Sequence, residues 1–204
     1  MKKAFAYIDG SNLYYRALRG TSFKWLNLRK MCEILFPGYE IQTVKYFTAP
    51  VSGKDDPGQP IRQQTYLRAL RTIGCEIVPG KFLSRDVPMR LANDKSQTVI
   101  VTKTEEKGSD VNLAAHLLID GFDKRYESAI VVTNDSDLAM PIRYVRDNLG
   151  LEVIVVNPDR NITSKSLAQA ASAMRQLRTG VLEEAQFPAI VKYKKGEIKK
   201  PSGW

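Results

Sequence analysis

The chain reads as an α/β domain with a central, mostly parallel sheet and helices on both faces. Three observations predict this. Short apolar runs at 4–8, 129–132 and 153–156 are each bounded by turn residues, the pattern of strands buried on both faces. Segments of helical spacing stand between such runs, and strand-helix alternation implies parallel pairing through crossovers. A length of 204 residues, 43% hydrophobic and 26% charged, suits a single core.

The elements follow in order. Strand 4–8 runs into Asp9-Gly10-Ser11-Asn12, and a helix starts near Ser11 or Asn12, both good N-caps, with Tyr14, Tyr15 and Arg16 in its first turns. A helix over 26–35 is stopped by Pro37-Gly38. Alternation over 41–48 predicts a strand, and residues 50–60, rich in Gly, Asp and Pro, predict a loop. Tyr66, Leu67, Leu70 and Ile73 give 61–73 helical spacing; Gly74 ends it, and 75–78 is a strand. Between 80 and 106 the pattern weakens, with an edge strand expected at 97–104. A helix over 110–119 has Ser109 or Asp110 at its N-cap and Gly121 past its end. Strand 128–133 is followed by a helix over 136–148, in which Pro141 is tolerated near the first turn. Strand 152–156 ends at Asn157-Pro158. A helix is expected over 164–177, on the spacing of Leu167, Ala170, Ala171, Met174 and Leu177, and then a docked strand or coil and a solvated tail.

No apolar stretch approaches the roughly 20 residues that span a bilayer. Met1-Lys2-Lys3 precedes too short an apolar run to be a secretory signal. The two cysteines, Cys32 and Cys75, form no CxxC pair, so neither a disulfide framework nor a zinc site is indicated, and the cytoplasm is the expected compartment. The net charge of +9 favours a polyanionic partner, nucleic acid above all, although solubility alone accounts for such a balance too. The excess concentrates in 81–107 and in Lys192, Lys194, Lys195, Lys199 and Lys200.

The chemistry concentrates at strand ends. Asp135 and Asp137 follow one buried strand and Asp9 follows another. In an open parallel sheet, such positions meet in the ligand crevice. Each also has a plain structural reading: Asp9 as a turn and cap residue, Asp135 or Ser136 as a helix cap, and Asp110 as an acid facing a helix dipole. Capping uses one side chain, however, and Asn134, Asp135, Ser136 and Asp137 stand together. Several anions held close need a divalent cation to neutralise them. Lys107, just before Asp110, is available for a phosphate. His116 reads as a helix-face residue, and the chain has no Ser-His-Asp or Cys-His set and no glycine-rich phosphate loop.

Three segments together resemble the NYN domain of the PIN-like nuclease superfamily, in its bacterial DUF88/LabA-like branch. They are Tyr7-Ile8-Asp9-Gly10-Ser11-Asn12, Lys107-Gly108-Ser109-Asp110-Val111 and Val131-Val132-Thr133-Asn134-Asp135-Ser136-Asp137. The helix carrying Gln63 to Leu70 fits as well. The resemblance implies a PIN-like three-layer α/β/α fold over about residues 1–163, with 164–204 as a C-terminal helix and basic tail on the same domain. It implies Mg²⁺ or Mn²⁺ held by Asp9, Asp110, Asp135 and Asp137, with Asn12 as polar companion, and endonuclease activity on RNA. Lys107, Ser11, Asn134 and Tyr14 are expected on the substrate side, the tyrosines either stacking on bases or packing the helix.

Phosphodiester hydrolysis at such a site calls for charge neutralisation and an acidified water. One ion with water-mediated contacts or two ions would fit four carboxylates, with Asp9 and Asp135 touching the ion and Asp110 and Asp137 acting directly or through water. Two rivals stand: a phosphatase using Asp-x-Asp, whose pair belongs after the first strand, and a non-cleaving RNA-binding or regulatory module. The number of ions, the choice of RNA over DNA, and homo-oligomer formation remain open.

Overall fold

The computed structural model describes residues 1–53 and 56–204, with Thr104 described by its backbone alone. Lys54 and Asp55, in the predicted loop, lie outside the described residues.

The first strand, β1 (Lys2–Asp9), is apolar from Ala4 to Ile8 and lies at the middle of the sheet. It leads directly into α1 (Gly10–Leu13), capped by Asp9, so the helix begins just before the predicted Ser11 start. The helix continues as a π-helical turn over Tyr14–Leu18, closed by the Arg19 N–H donating to the Tyr14 carbonyl at 2.7 Å. There follow α2 (Leu28–Leu35), with Asn27 as its cap, β2 (Tyr39–Thr48), α3 (Gln59–Thr72) and β3 (Cys75–Pro79). A hairpin, β4 (Lys81–Arg90) and β5 (Thr98–Lys107), leads to α4 (Ser109–Phe122). Then come β6 (Ser128–Val132), a 3₁₀ turn at Ser136–Leu138, α5 (Ala139–Asn148) and β7 (Glu152–Asn157). The chain ends with α6 (Lys165–Ala170), β8 (Ala173–Gln176), α7 (Thr179–Glu184) and a hairpin of β9 (Ile190–Tyr193) and β10 (Gly196–Lys199).

The main sheet has six strands in the order β3-β2-β1-β6-β7-β8, with every pairing parallel. The chain steps outward from β1 to β3 and returns to lay β6 against the free edge of β1. It then steps outward again to β8. The strand order therefore reverses between β1 and β6, and the crevice at their carboxyl ends is where ligands sit in open α/β sheets. Ile8 is opposite Val132, so Asp9 and Thr133 emerge side by side.

Side-chain alternation divides the core. Ala4, Ala6 and Ile8 face a cluster built with α2, α3 and the C-terminal segment, whereas Phe5 and Tyr7 face α4, α5 and α6. In the first cluster Trp25 is fully buried against Phe187, Tyr66 and Trp204, with ring centroids 5.6–6.5 Å away. Each such buried ring is worth roughly 1.5–3 kcal/mol in area alone.

Three expectations change. The edge strand predicted at 97–104 does not join the main sheet; it forms β5, paired antiparallel with β4 from Lys81↔Lys107 to Arg90↔Thr98. Val99, Ile100 and Val101 are strand formers without a buried face, so local hairpin closure claims them. The helix predicted over 164–177 stops at Ala170. The Ser172 N–H donates to the Val153 carbonyl at 2.8 Å, and residues 173–176 satisfy the otherwise open edge of β7. The tail is docked rather than solvated: Val191 and Ile198 enter the core, while Lys192, Lys194, Lys195 and Lys199 stay exposed. In addition, Gly121 lies within α4 rather than beyond it.

Candidate functional site

Asp9 is 2% exposed at the end of the most apolar strand. Its Oδ1 accepts from the Asn12 N–H at 2.9 Å and the Ser11 hydroxyl at 3.1 Å. Its Oδ2 accepts from the Thr133 hydroxyl at 2.9 Å. Burial pushes the Asp9 carboxyl above the usual carboxylate range, these three donors pull it back, and Asp135 pushes it up again. Gly10 is required where it stands, because a Cβ there would lie 2.6 Å from the Phe47 carbonyl oxygen and 2.8 Å from the Tyr46 ring. No side chain fits between β1 and β2 at this turn.

Thr133 ties the two strand ends together. Its hydroxyl donates to Asp9 and accepts from the Asp135 N–H at 3.0 Å. Asn12 makes a second tie, its Oδ1 accepting from the Asn134 N–H at 3.1 Å. Asp135 Oδ1 accepts from the Asp137 N–H at 3.0 Å, capping the 3₁₀ turn. The capping and acidic readings of this pair therefore coexist, since Asp135 caps with one oxygen and Asp137 is left exposed.

Asp110 arrives from a third segment, in the first turn of α4. The residue at the N-cap is Gly108 rather than the expected Ser109 or Asp110, with φ at 92°, a conformation side chains other than glycine rarely adopt. The Asp110 carboxyl is pushed up to about 6, first by desolvation and then by the charges of Asp9, Asp135 and Asp137. Four acids from two strand ends and a helix start thus stand near enough for Asp110 to feel the other three. That donor set suits a hard divalent cation. Among the described residues no three Asp, Glu, His or Cys side chains stand close enough to grip one ion, so ligation requires these carboxylates to turn inward.

The remaining expected residues have local duties. Ser11 is bonded to Asp9. The Asn134 side chain donates to the Ile162 carbonyl at 3.1 Å and accepts from the Ser164 N–H at 3.0 Å, joining the loops after β6 and β7. Lys107 pairs with Glu105 at 3.3 Å, half exposed. Tyr14 meets Tyr15 edge-on, with centroids 5.2 Å apart.

Sequence reasoning missed Thr133 and Asp159. Thr133 carried no signal beyond its place between a buried strand and an acidic turn. Asp159 follows β7 as Asp9 follows β1, which could have flagged it. Its carboxyl is held below the usual range by the backbone N–H groups of Asn161 and Ile162 and then by Arg16 at 2.9 Å. His116 is more than a helix-face residue: Lys45 Nζ lies 3.0 Å from its Nδ1, and its ring meets Phe47. Lys45 and Asp120, both buried, pair at 2.6 Å behind the site.

The pattern of the NYN domain matches residues 3–178. A curated relative, 6-hydroxy-3-succinoylpyridine 3-monooxygenase HspA of Pseudomonas putida (strain DSM 28022 / S16), is 29% identical over 97% of this chain and 74% of its own length. A solved structure from Vibrio parahaemolyticus, VPA0982, described as a protein of unknown function, superposes with a TM-score of 0.59 at 16% identity. That superposition covers 87% of this chain and 94% of the other, and it shows the shared fold. No described helix is long and apolar enough to cross a membrane. With its parallel sheet flanked by helices and its match over most of its length, the chain belongs to the NYN domain family, a PIN-like family of nuclease type.

Proposed function

We propose that this protein is a metal-dependent endoribonuclease that hydrolyses RNA phosphodiester bonds in the cytoplasm. Asp9, Asp110, Asp135 and Asp137 would hold Mg²⁺ or Mn²⁺. The supporting observation is the charge effect at Asp110, whose carboxyl is raised to about 6 by partial desolvation and by the other three acids. Such a set favours a bound cation, which relieves the repulsion. The bound ion supplies neutralisation of the developing phosphate charge and acidification of a water.

The chain's own residues supply position. Thr133, Ser11 and the Asn12 N–H keep the Asp9 carboxylate oriented through three hydrogen bonds. Asn12 and Thr133 keep the loop carrying Asp135 and Asp137 in register with the end of β1. Lys107, just before Asp110, lies near enough in sequence to meet a substrate phosphate, on release from Glu105. The exposed lysines of β9–β10 add attraction for the strand at low salt.

The test is cleavage of mixed RNA substrates with Mg²⁺ or Mn²⁺, wild type against Asp135→Asn. Metal-dependent cleavage by the wild type, lost in the variant, is expected. No activity in the wild type, or equal activity in both, overturns the reading. One observation favours a second reading: the Pseudomonas relative bears the name of a monooxygenase acting on a pyridine. On that reading the protein would consume oxygen and a reductant with a hydroxypyridine substrate, and RNA would remain intact.

A further inference from the structure

Beside the acid cluster lies a cavity of about 420 Å³, within the range of small-ligand sites. It lies between α1, the start of α3, the β4–β5 hairpin and the C-terminal segment. Aromatic side chains stand in its wall among polar ones: Tyr14, Tyr15, Tyr46, Tyr66, Phe82 and Trp204. Tyr46 and Tyr66 meet edge-to-face at 6.2 Å, and Tyr66 and Trp204 at 5.5 Å, so three of these rings brace one another. The cavity is continuous with the site. Gly10 and Ser11 line it, and the Ser11 hydroxyl donates to Asp9. Glu106 lines it too and accepts from Ser109, next to Asp110.

The charges at the rim are unequal. Arg62 is neutralised by Asp56. Lys24 lines the same cavity, half-buried, and has no acidic partner among the described residues. The combination is a set of aromatic rings, a lysine in the lining, and an acid cluster reached through Ser11. A flat ring stacks on aromatic walls whatever its hydrogen-bonding edge, and a phosphate suits a lone lysine.

We propose that this cavity is a nucleotide subsite, taking one base of a single-stranded RNA among Tyr14 and its neighbouring rings. One flanking phosphate lies at Lys24, and the other is directed past Ser11 to the acids. The ring and Lys24 contacts stand on the cavity alone; the placement of the second phosphate rests on the nuclease reading. Unstacked bases are the part of an RNA that side chains reach, and base pairing would deny the ring entry, so duplex RNA is disfavoured.

The experiment is calorimetric titration of the wild-type protein in EDTA with adenosine 5′-monophosphate, adenosine, ribose 5-phosphate and pyridine-3-carboxylate. Expected is binding of adenosine 5′-monophosphate with ribose 5-phosphate at least about tenfold weaker. Tyr14→Leu should weaken the nucleotide by about fivefold to 150-fold, the range for loss of one stacked base. Lys24→Gln, at the rim and away from the core, should weaken the nucleotide but leave adenosine unchanged. The proposal is overturned if ribose 5-phosphate binds as well as the nucleotide, if pyridine-3-carboxylate binds better, or if nothing binds at millimolar concentration. It is equally overturned if both variants match the wild type. Because no metal is present and no bond is cleaved, an inactive enzyme that still binds the nucleotide would end the nuclease reading and leave the subsite standing.

Discussion

Replacing Lys45 with Met tests what holds α4, and therefore Asp110, against the sheet. Lys45 Nζ lies 2.6 Å from Asp120 Oδ2, and both side chains are 2% exposed. Removing one member of a buried pair strands the other and costs about 3–5 kcal/mol. Asp120 keeps two donors, the Tyr7 hydroxyl at 2.8 Å and Arg125 Nη1 at 2.7 Å, which places Lys45→Met near the lower end, about 3 kcal/mol. Met preserves the aliphatic stem, so little of this is lost packing. With a urea slope of about 2 kcal/mol/M, the unfolding midpoint should fall by about 1.5 M. Lys45→Met/Asp120→Asn should recover part of that loss, because the stranded charge is gone while an acceptor remains for Tyr7. Burial and the Asp120 carboxylate push the Tyr7 hydroxyl far above its usual range, so it remains a donor at every working pH. Equilibrium urea unfolding of the two singles and the double closes a cycle. A Lys45→Met loss below about 1 kcal/mol, or a double variant no better than the sum of the singles, refutes the argument that this pair secures the helix.

Three further outcomes are expected. Asp110 titrates at about 6 in the folded chain against 3.8 ordinarily, so the folded state binds its proton more tightly. Stability from this group is fully present below about pH 4 and is lost as pH rises through about 6; with the side chain largely exposed and screened, the loss is about 1 kcal/mol. Asp110→Asn in EDTA should therefore stabilise the protein at pH 8 and not at pH 4, by urea unfolding. Mn²⁺ should raise the wild-type melting temperature in proportion to the logarithm of its concentration above Kd, and Asp9→Asn/Asp135→Asn should abolish the shift. Gly10→Ala should cost about 1–3 kcal/mol in urea unfolding, since its Cβ would press on the Phe47 carbonyl and the Tyr46 ring.

Much of the site was legible in the amino-acid order. Asp9, Asp110, Asp135 and Asp137 were each picked out by position after an apolar run or before a helix, whereas of the caps only that at Asp135 fell where expected, Asp9 and Gly108 taking the other two. Parallel topology was legible too, because strands buried on both faces read as unbroken apolar runs. The exchange between Thr133, Asp9 and Asp135 was not, since a threonine after a strand has no spacing that marks it. Nor was the Lys45–Asp120 pair, whose members stand 75 positions apart and look like ordinary surface charges in sequence.

By itself, the sequence determined the strand-helix alternation, the acids at the strand ends and the likeness of its three motifs to one family, because these depend on local period and spacing. Only the tertiary structure decided the fate of residues 97–104 and 173–176. Both carry strand-forming or helical spacing, and which partner they took depended on the backbone edge within reach. Residues 97–104 met only the preceding strand and closed a hairpin, while 173–176 met the open edge of β7 and left the helical pattern to fill it. The aromatic cavity is likewise a tertiary product. Tyr14, Tyr46, Tyr66, Phe82 and Trp204 come from five separate segments, and their enclosure follows from the C-terminal chain packing back on Trp25, a contact that no local pattern encodes.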